Sequence, residues 1–337
     1  MPSAAQNRDI VVIGASAGGV DALSELASGL PADLPAAVLI VLHTLPTYGG
    51  LLPEILTRRG PLRAVYGLHG DPVEPGRIYV APPDNHLTVR AGHLQVLRGP
   101  KENGHRPSVD ALFRSAAQFY GPRVIGVVLS GHLDCGTAGL MSIRARRGIC
   151  IVQDPVDAAA PDMPRNAMSY LDVDHVVPVR ELAALLGRLT REPAPQAPAG
   201  VQRDIAELEG DELGVSADVV CPLCQGKMTE TKVGRFGLLR CHVGHSFTEQ
   251  AVVLQQAESL ERALWAAVRA LEESASLARR VGASAGGEWR ERLLERRRPR
   301  AGRPASSVAC WRRATRSPAP TPRRWRPLPG KSRRTTD

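Results

Sequence analysis

Short apolar runs alternate with stretches in which apolar residues recur every three or four positions along the first 190 residues. The runs have the length of buried strands, and the stretches have the periodicity of helices that pack on a sheet. The pattern predicts strands at 10–15, 36–43, 77–81, 123–130, 148–153 and 173–179, further strands within 86–97, and helices at 18–30, 109–119, 137–147 and 181–189. It therefore predicts an α/β domain over residues 1–190, built on a doubly wound, mainly parallel sheet.

The pattern changes after residue 190. Residues 191–216 are rich in Pro and Ala near their start and predict a linker. Residues 217–247, which we call the Cys/His module, contain clustered cysteines and histidines. Residues 248–285 predict one long amphipathic helix, because apolar residues repeat at intervals of three and four between 253 and 271. This helix either packs on its own Cys/His module or forms a homodimer through 248–281, and the pattern leaves both open.

Residues 286–337 lose both periodicities and consist largely of Arg, Pro, Ser and Trp. Such a composition cannot bury a core, so we expect a disordered basic tail. It also resembles a GC-rich gene read out of frame, a hypothesis that resequencing of the locus would test.

The basic charge of the chain belongs to this tail. Residues 290–337 carry 16 of the 43 bases and 3 of the 34 acids, which leaves 27 bases against 31 acids elsewhere. An acidic folded part gives no electrostatic reason to expect nucleic-acid binding. No run of 18 apolar residues and no apolar leader is present, so we expect a cytoplasmic protein without membrane insertion.

The segment Gly14–Gly19 (GASAGG) follows the first predicted strand and opens the first helix. A serine on such a turn, here Ser16, is exposed at the carboxyl edge of the sheet, and the first helical N–H groups can bind an oxyanion. The alternative is a dinucleotide-binding turn, which would have Gly at position 16 and an acid at the end of the second strand. That strand ends in His43, within plausible reach of Ser16, which favours a Ser–His hydrolytic pair.

A third catalytic partner is expected from another strand end. Residues 130–140 follow the predicted strand 123–130, again open a helix, and contain Asp134 and Cys135. The chain order is then Ser, His, acid. The α/β-hydrolases have the order Ser, acid, His, so that class is disfavoured despite its similar serine turn.

The Cys/His module contains Cys221 and Cys224, then Cys241 and His245, in the spacing Cys-x2-Cys-x16-Cys-x3-His. Two pairs of soft ligands at this spacing predict a structural Zn²⁺ site, which with four protein ligands has no open position for catalysis. His245 is preferred to His242 as the fourth ligand, because adjacent residues rarely converge on one metal. The alternative is a reduced, metal-free loop, which would have little core.

Five separated segments, in order, resemble the catalytic domain of the chemotaxis protein-glutamate methylesterase (CheB) family. They are 13–19 with His43, 77–87 (RIYVAPPDNHL), 106–117 (RPSVDALFRSAA), 128–140 and 151–168 (IVQDPVDAAAPDMPRNAM). The resemblance implies a serine esterase that hydrolyses glutamate γ-methyl esters on the cytoplasmic helices of chemoreceptors and needs no catalytic cofactor. Deamidation of receptor glutamines is a second activity that it implies. Because the first strand begins at residue 10, we expect a stand-alone catalytic domain without the family's receiver domain.

One position departs from the family pattern, which places the triad Asp immediately before the glycine of its acid loop. Here Cys135 precedes Gly136, and the nearest acid is Asp134. A neutral thiol is a poor acceptor for the second N–H of the imidazole. Three interpretations stay open. Asp134 replaces the missing carboxylate, or the enzyme is slow, or the chain is a catalytically impaired receptor-binding or scaffold relative.

Overall fold

The structure, a computed structural model, describes residues 6–44, 50–200 and 214–284, and of residues 282–284 only the backbone. The described residues divide into one compact unit up to Arg262 and another from Ala263 to 284. The predicted tail 286–337, and residues 201–213 of the predicted linker, lie outside the described residues. Among the helices of the described ranges, none combines the length and the hydropathy needed to cross a bilayer.

The first 190 residues contain a seven-stranded sheet in the order β3-β4-β2-β1-β7-β8-β9. Every neighbouring pair in it is parallel, which confirms the predicted parallel α/β architecture. A separate antiparallel hairpin joins β5 to β6. The strands are β1 Ile10–Ala15, β2 Ala37–Leu42, β3 Arg63–Tyr66, β4 Arg77–Val80, β5 His86–Arg90, β6 His93–Leu97, β7 Val124–Val128, β8 Ile149–Gln153 and β9 His175–Val177.

Helices cover both faces of this sheet. The strands alternate their side chains between two cores, so that Val11 and Ile13 of β1 enter one and Ile10 and Val12 the other. Helices α1, α2 and α6 pack on the first face, and α3, α4 and α5 on the second. The helices are α1 Gly19–Gly29, α2 Leu52–Arg59, α3 Val109–Tyr120, α4 Thr137–Ala145, α5 Asp162–Tyr170 and α6 Val179–Leu189.

The Cys/His module forms a four-stranded antiparallel sheet in the order β10-β11-β12-β13. Its first strand starts at Val215, two residues before the predicted beginning of the module. A small core of Met228, Leu239, Phe247 and two cysteines also takes in the first turn of the next helix. The elements are β10 Val215–Val220, β11 Lys227–Val233, β12 Phe236–Cys241, β13 Ser246–Thr248 and the long helix α7 Glu249–Ser284.

Among the side chains of α7 that the structure describes, up to Val281, only Ala251 and Val252 near its start are buried. Three positions of the predicted apolar repeat, Val253, Leu260 and Leu271, are 65%, 61% and 67% exposed. The first turn therefore packs on the Cys/His module, and a homodimer through 248–281 stays a prediction.

Candidate active site

Ser16 lies directly after β1, at the carboxyl edge of the sheet. Its N–H donates to the carbonyl of Ser130, and its own carbonyl accepts from the N–H of Gly19 in the first turn of α1. Gly18 makes this sharp turn with φ of 74°, a left-handed conformation that glycine adopts without a Cβ penalty. The serine is thereby fixed between the end of a strand and the beginning of a helix, as the sequence predicts.

His43 follows β2, which pairs in parallel with β1. In the register of this pair Ala15 lies opposite Leu42, so Ser16 and His43 are the next residues on two adjacent strands. The N–H of His43 donates to the carbonyl of Ala15 over 3.1 Å. The structure therefore brings the backbones of the two predicted catalytic residues together at one sheet edge.

Both ring nitrogens of His43 are buried, and neither hydrogen-bonds to any described residue. Burial lowers the pKa of this imidazole well below its usual value, and the nearby His105 lowers it further. A neutral imidazole is the form that accepts a proton, but the same burial disfavours the imidazolium that then forms, so His43 is a weaker base than a free histidine. Ser16 makes no hydrogen bond to either ring nitrogen, a contact that in hydrolases often becomes short only in the complex with substrate.

The side chain that faces His43 from the acid loop is Cys135. Its Sγ, a ring nitrogen of His43 and a ring nitrogen of His105 lie within 4.8 Å of one another. Burial, followed by the charges of Asp110 and Asp134, raises the pKa of the Cys135 thiol well above its usual value. The group beside the histidine is thus a neutral thiol.

Asp134 is engaged elsewhere. Its Oδ1 accepts a 2.8 Å hydrogen bond from the hydroxyl of Thr248, at the end of β13. The carboxylate is buried, and burial raises its pKa, although the Thr248 hydroxyl opposes this. Asp134 makes no hydrogen bond to His43, so the catalytic role predicted for it has no supporting contact here.

His105 stacks on His43, with ring centroids 3.8 Å apart and an interplanar angle of 6°. Burial lowers the pKa of His105 to about 4, and the charge of Lys101 acts in the same direction. Imidazole lone pairs lie in the ring plane, so two parallel rings direct them side by side and not toward a common point. We therefore assign no metal to the group of His43, His105 and Cys135.

Buried charges support the two loops that flank His43. Asp110 accepts from the N–H groups of Gly136 and Gly139 at the beginning of α4, although burial raises its pKa to about 6. Glu102 pairs with Arg114 and accepts from the hydroxyl of Ser108. Burial alone would raise the pKa of Glu102, but the Arg114 guanidinium holds it at about 2.

Two N–H groups beside Ser16 are available to a ligand. No described residue accepts a hydrogen bond from the N–H of Ala17 or Gly18, and both residues are exposed. Backbone donors directly after a nucleophile are placed to stabilise the oxyanion of a tetrahedral intermediate. They make this turn a candidate oxyanion hole.

Gly131 lies where the chain passes between Ser16 and helix α5. A Cβ at this position would lie 2.0 Å from Sδ of Met163 and 2.8 Å from Cβ of Ser16. The N–H of Met163 also donates to the Gly131 carbonyl, which fixes α5 against the loop. Only glycine lets the chain pass between Ser16 and α5.

The four predicted metal ligands of the Cys/His module converge. Sγ of Cys224 and Cys241 are 3.6 Å apart, and Nδ1 of His245 lies 3.7 Å from Sγ of Cys221 and 3.6 Å from Sγ of Cys241. All four ligand atoms lie within 4.8 Å of one another, and the cysteines are not disulfide-bonded. His242, by contrast, is exposed.

Sequence reasoning did not single out His105, Asn103 or Thr248. His105 directly precedes the segment 106–117 that carries part of the family resemblance, but a lone loop histidine gives no local signal of stacking. Thr248 lies 114 residues from its partner Asp134, so no sequence spacing connects them.

A serine on a strand-to-helix turn, a neutral histidine with buried ring nitrogens on the adjoining strand end, and two N–H donors that no described residue binds define a hydrolase-type site on a parallel α/β sheet. A model of the family described as CheB methylesterase matches residues 11–186. The chain belongs to the CheB methylesterase family.

Curated relatives support this family assignment. The chain is 38% identical over 190 residues to protein-glutamate methylesterase/protein-glutamine glutaminase 2 of Anaeromyxobacter dehalogenans, covering 56% of each chain. It is 37% identical over 194 residues to the protein of the same name from Methanosarcina mazei, covering 55% of this chain and 52% of that one. The match thus spans about half the length of these relatives.

The crystal structure of the Thermotoga maritima CheB methylesterase catalytic domain superimposes with a TM-score of 0.52 and 31% sequence identity. The match covers 54% of this chain and 98% of that one. The comparison supports the parallel sheet with flanking helices.

Proposed function

We propose that this chain is a protein-glutamate methylesterase that hydrolyses γ-methyl esters on chemoreceptor helices, with Ser16 as nucleophile and His43 as general base. The observation that carries the proposal is the placement of these two residues after the paired positions Ala15 and Leu42, together with the burial that keeps His43 neutral. The relatives' names supply the substrate class.

In this reaction the imidazole of His43 accepts the Ser16 hydroxyl proton while Oγ attacks the ester carbonyl. The N–H groups of Ala17 and Gly18 stabilise the oxyanion, and the tetrahedral intermediate then expels methanol, which takes the proton from His43. Water, activated by the same imidazole, hydrolyses the acyl-enzyme to release the glutamate carboxylate and restore the Ser16 hydroxyl. Deamidation of a receptor glutamine would follow the same steps with ammonia as the leaving group.

We expect slow turnover, because a thiol and not a carboxylate faces His43. In a Ser-His-Asp triad the carboxylate orients the imidazole and stabilises the imidazolium that forms, and its loss costs a factor on the order of 10⁴ in turnover. Cys135 offers no negative charge, and Asp134 is bound to Thr248. We therefore propose hydrolysis that is well below that of a complete triad.

The same observation supports the second candidate, a catalytically impaired relative that binds receptor helices as a scaffold. The test measures methanol released from methylated chemoreceptor cytoplasmic fragments by wild type, Ser16→Ala and the control Ser28→Ala, an exposed serine of α1. The esterase proposal expects release by wild type and Ser28→Ala only. Equal background rates in all three proteins, with receptor binding retained, would leave the scaffold proposal alone.

A further inference from the structure

The two turns that carry the ligands of the Cys/His module have related backbone hydrogen bonding. The N–H of Cys221 donates to the Gly226 carbonyl, and the N–H of Cys241 donates to the His245 carbonyl. Gly244 at φ of 96° and Gln225 at φ of 60° reverse the chain in each turn. Both turns therefore direct two ligand side chains inward.

The ligand spacing fits a tetrahedral metal. Bonds of about 2.3 Å to sulfur and about 2.0–2.1 Å to nitrogen give ligand–ligand edges of roughly 3.5–3.8 Å around Zn²⁺. The three separations in the structure, 3.6, 3.7 and 3.6 Å, lie within that range. The apolar core around the cluster is small, so that metal–ligand bonds would supply much of the stability of the module.

The strand that follows the last ligand contacts the active-site edge. Ser246, next to His245, donates from its N–H to the carbonyl of Lys101, and its own carbonyl accepts from the N–H of Asn103 over 2.7 Å. The N–H of Thr248 donates to Oδ1 of Asn103 over 2.8 Å. Strand β13 thus fixes Asn103 through its backbone and its side chain.

The segment 101–105 leads from this contact to the catalytic histidine. Asn103 is buried in a left-handed conformation with φ of 48°, and two residues later His105 stacks on His43. The hydroxyl of Thr248 meanwhile binds Asp134 on the acid loop. One three-residue strand, adjacent to a metal ligand, therefore contacts both loops that flank His43.

We propose that Cys221, Cys224, Cys241 and His245 bind one structural Zn²⁺, and that the metal-bound Cys/His module clamps segment 101–105 and Asp134 in place beside His43. The clamp acts through the hydrogen bonds that β13 makes to Lys101, Asn103 and Asp134. It requires no esterase activity, so its test is independent of the function proposed above.

Metal content of the full chain, purified with Zn²⁺ and measured by elemental analysis, tests the site. Wild type and His242→Ala should each hold one zinc ion per chain, whereas His245→Ala and the double variant Cys221→Ser/Cys241→Ser should hold little. His242 is the matched control because it is the adjacent, exposed histidine. A wild-type chain without zinc, or equal loss in both histidine variants, would overturn the site.

Hydrogen exchange with and without a chelator tests the clamp on the wild-type chain. Removal of zinc should accelerate exchange of the Asn103 N–H by about tenfold or more, because its acceptor is the carbonyl of Ser246. The N–H of Leu129, bonded to Gly14 within the parallel sheet, is the internal control and should not change. Unchanged protection of Asn103 after zinc loss would overturn the clamp, and a change at Leu129 as well would show general unfolding in place of a clamp.

Discussion

The hydroxyl of Thr248 donates a 2.8 Å hydrogen bond to the carboxylate of Asp134, although the two residues are 114 positions apart. Asp134 is the acid nearest in sequence to the position where the family has its triad Asp, and its carboxylate is occupied by this contact. Cys135, its neighbour, faces His43 instead. His43, the proposed general base, therefore lacks a carboxylate partner among the described residues.

Replacement of Cys135 by Asp should raise turnover. A carboxylate beside His43 would orient the imidazole and stabilise its protonated form, with a complete triad acid contributing on the order of 10⁴. The gain should be smaller here, on the order of 10–10³, because Asp110 and Asp134 disfavour another negative charge nearby. Initial rates of methanol release provide the measurement.

The isosteric variant Cys135→Asn is the matched control, since it has the shape of Asp without the charge. It should remain as slow as wild type. Equal rates in the Asp and Asn variants would show that the missing carboxylate does not limit the reaction.

Removal of the Thr248 hydroxyl should destabilise the protein. Thr248→Ala leaves the buried Asp134 carboxylate without this donor, and it also removes the acceptor for the N–H of Ala251 in the first turn of α7. The expected loss in the free energy of unfolding is about 1–3 kcal/mol. Thr248→Ser keeps the hydroxyl and should lie close to wild type in urea unfolding, whereas similar losses in both variants would assign the effect to the methyl group.

The protein should become less stable at acidic pH, because the folded state disfavours protonation of His105. Burial lowers its folded-state pKa to about 4 from 6.5, so the unfolded chain binds more protons between these values. The contribution of His105 to the free energy of unfolding is therefore fully present above pH 6.5. It is lost as the pH falls toward 4, which lowers the free energy of unfolding by up to about 3 kcal/mol. Asp110, whose pKa is raised to about 6, acts in the opposite direction over part of this window.

A comparison with His105→Phe isolates the histidine contribution, because phenylalanine keeps a ring against His43 and cannot titrate. The pH dependence of unfolding should be shallower in this variant between pH 4 and 6.5. Parallel curves for the two proteins would contradict the assignment.

A methyl group at Gly131 should impair the site. Gly131→Ala places its Cβ against the side chains of Met163 and Ser16, which must shift, so turnover should drop on the order of tenfold or more. Gly187→Ala is the control, because its Cβ in helix α6 would meet Pro31 at 3.5 Å and the Arg191 side chain at 3.8 Å, both ordinary contacts, and alanine stabilises a helix interior by about 1 kcal/mol relative to glycine. Full activity of Gly131→Ala would show that Ser16 tolerates displacement.

The local sequence pattern predicts the elements with strong periodicity and misses those with weak signals. The continuous apolar runs at β1 and β2 are evident, because parallel strands are buried on both faces. Strand β3 was not predicted, because it has four residues and only Ala64 is buried. Helix α2, with eight residues and an early Pro53, is similarly inconspicuous.

The sequence likewise predicts some residues of the candidate site and misses others. Ser16 and His43 could be predicted because each directly follows a recognisable strand, and parallel strands bring their carboxyl ends to one edge. The choice between Cys135 and Asp134 could not be predicted, because it depends on which side chain the loop turns inward. That orientation is linked to Thr248 and Asn103, and only the folded chain brings these residues together.

The most direct measurement of the central claim is covalent labelling of the full chain with a fluorophosphonate, followed by peptide mass spectrometry. An activated serine should carry the label at Ser16, and His43→Gln should abolish labelling because the hydroxyl loses its base. Label on another serine, such as the nearby Ser130, or equal labelling of Ser16 in the His43→Gln variant, would contradict the Ser16–His43 assignment.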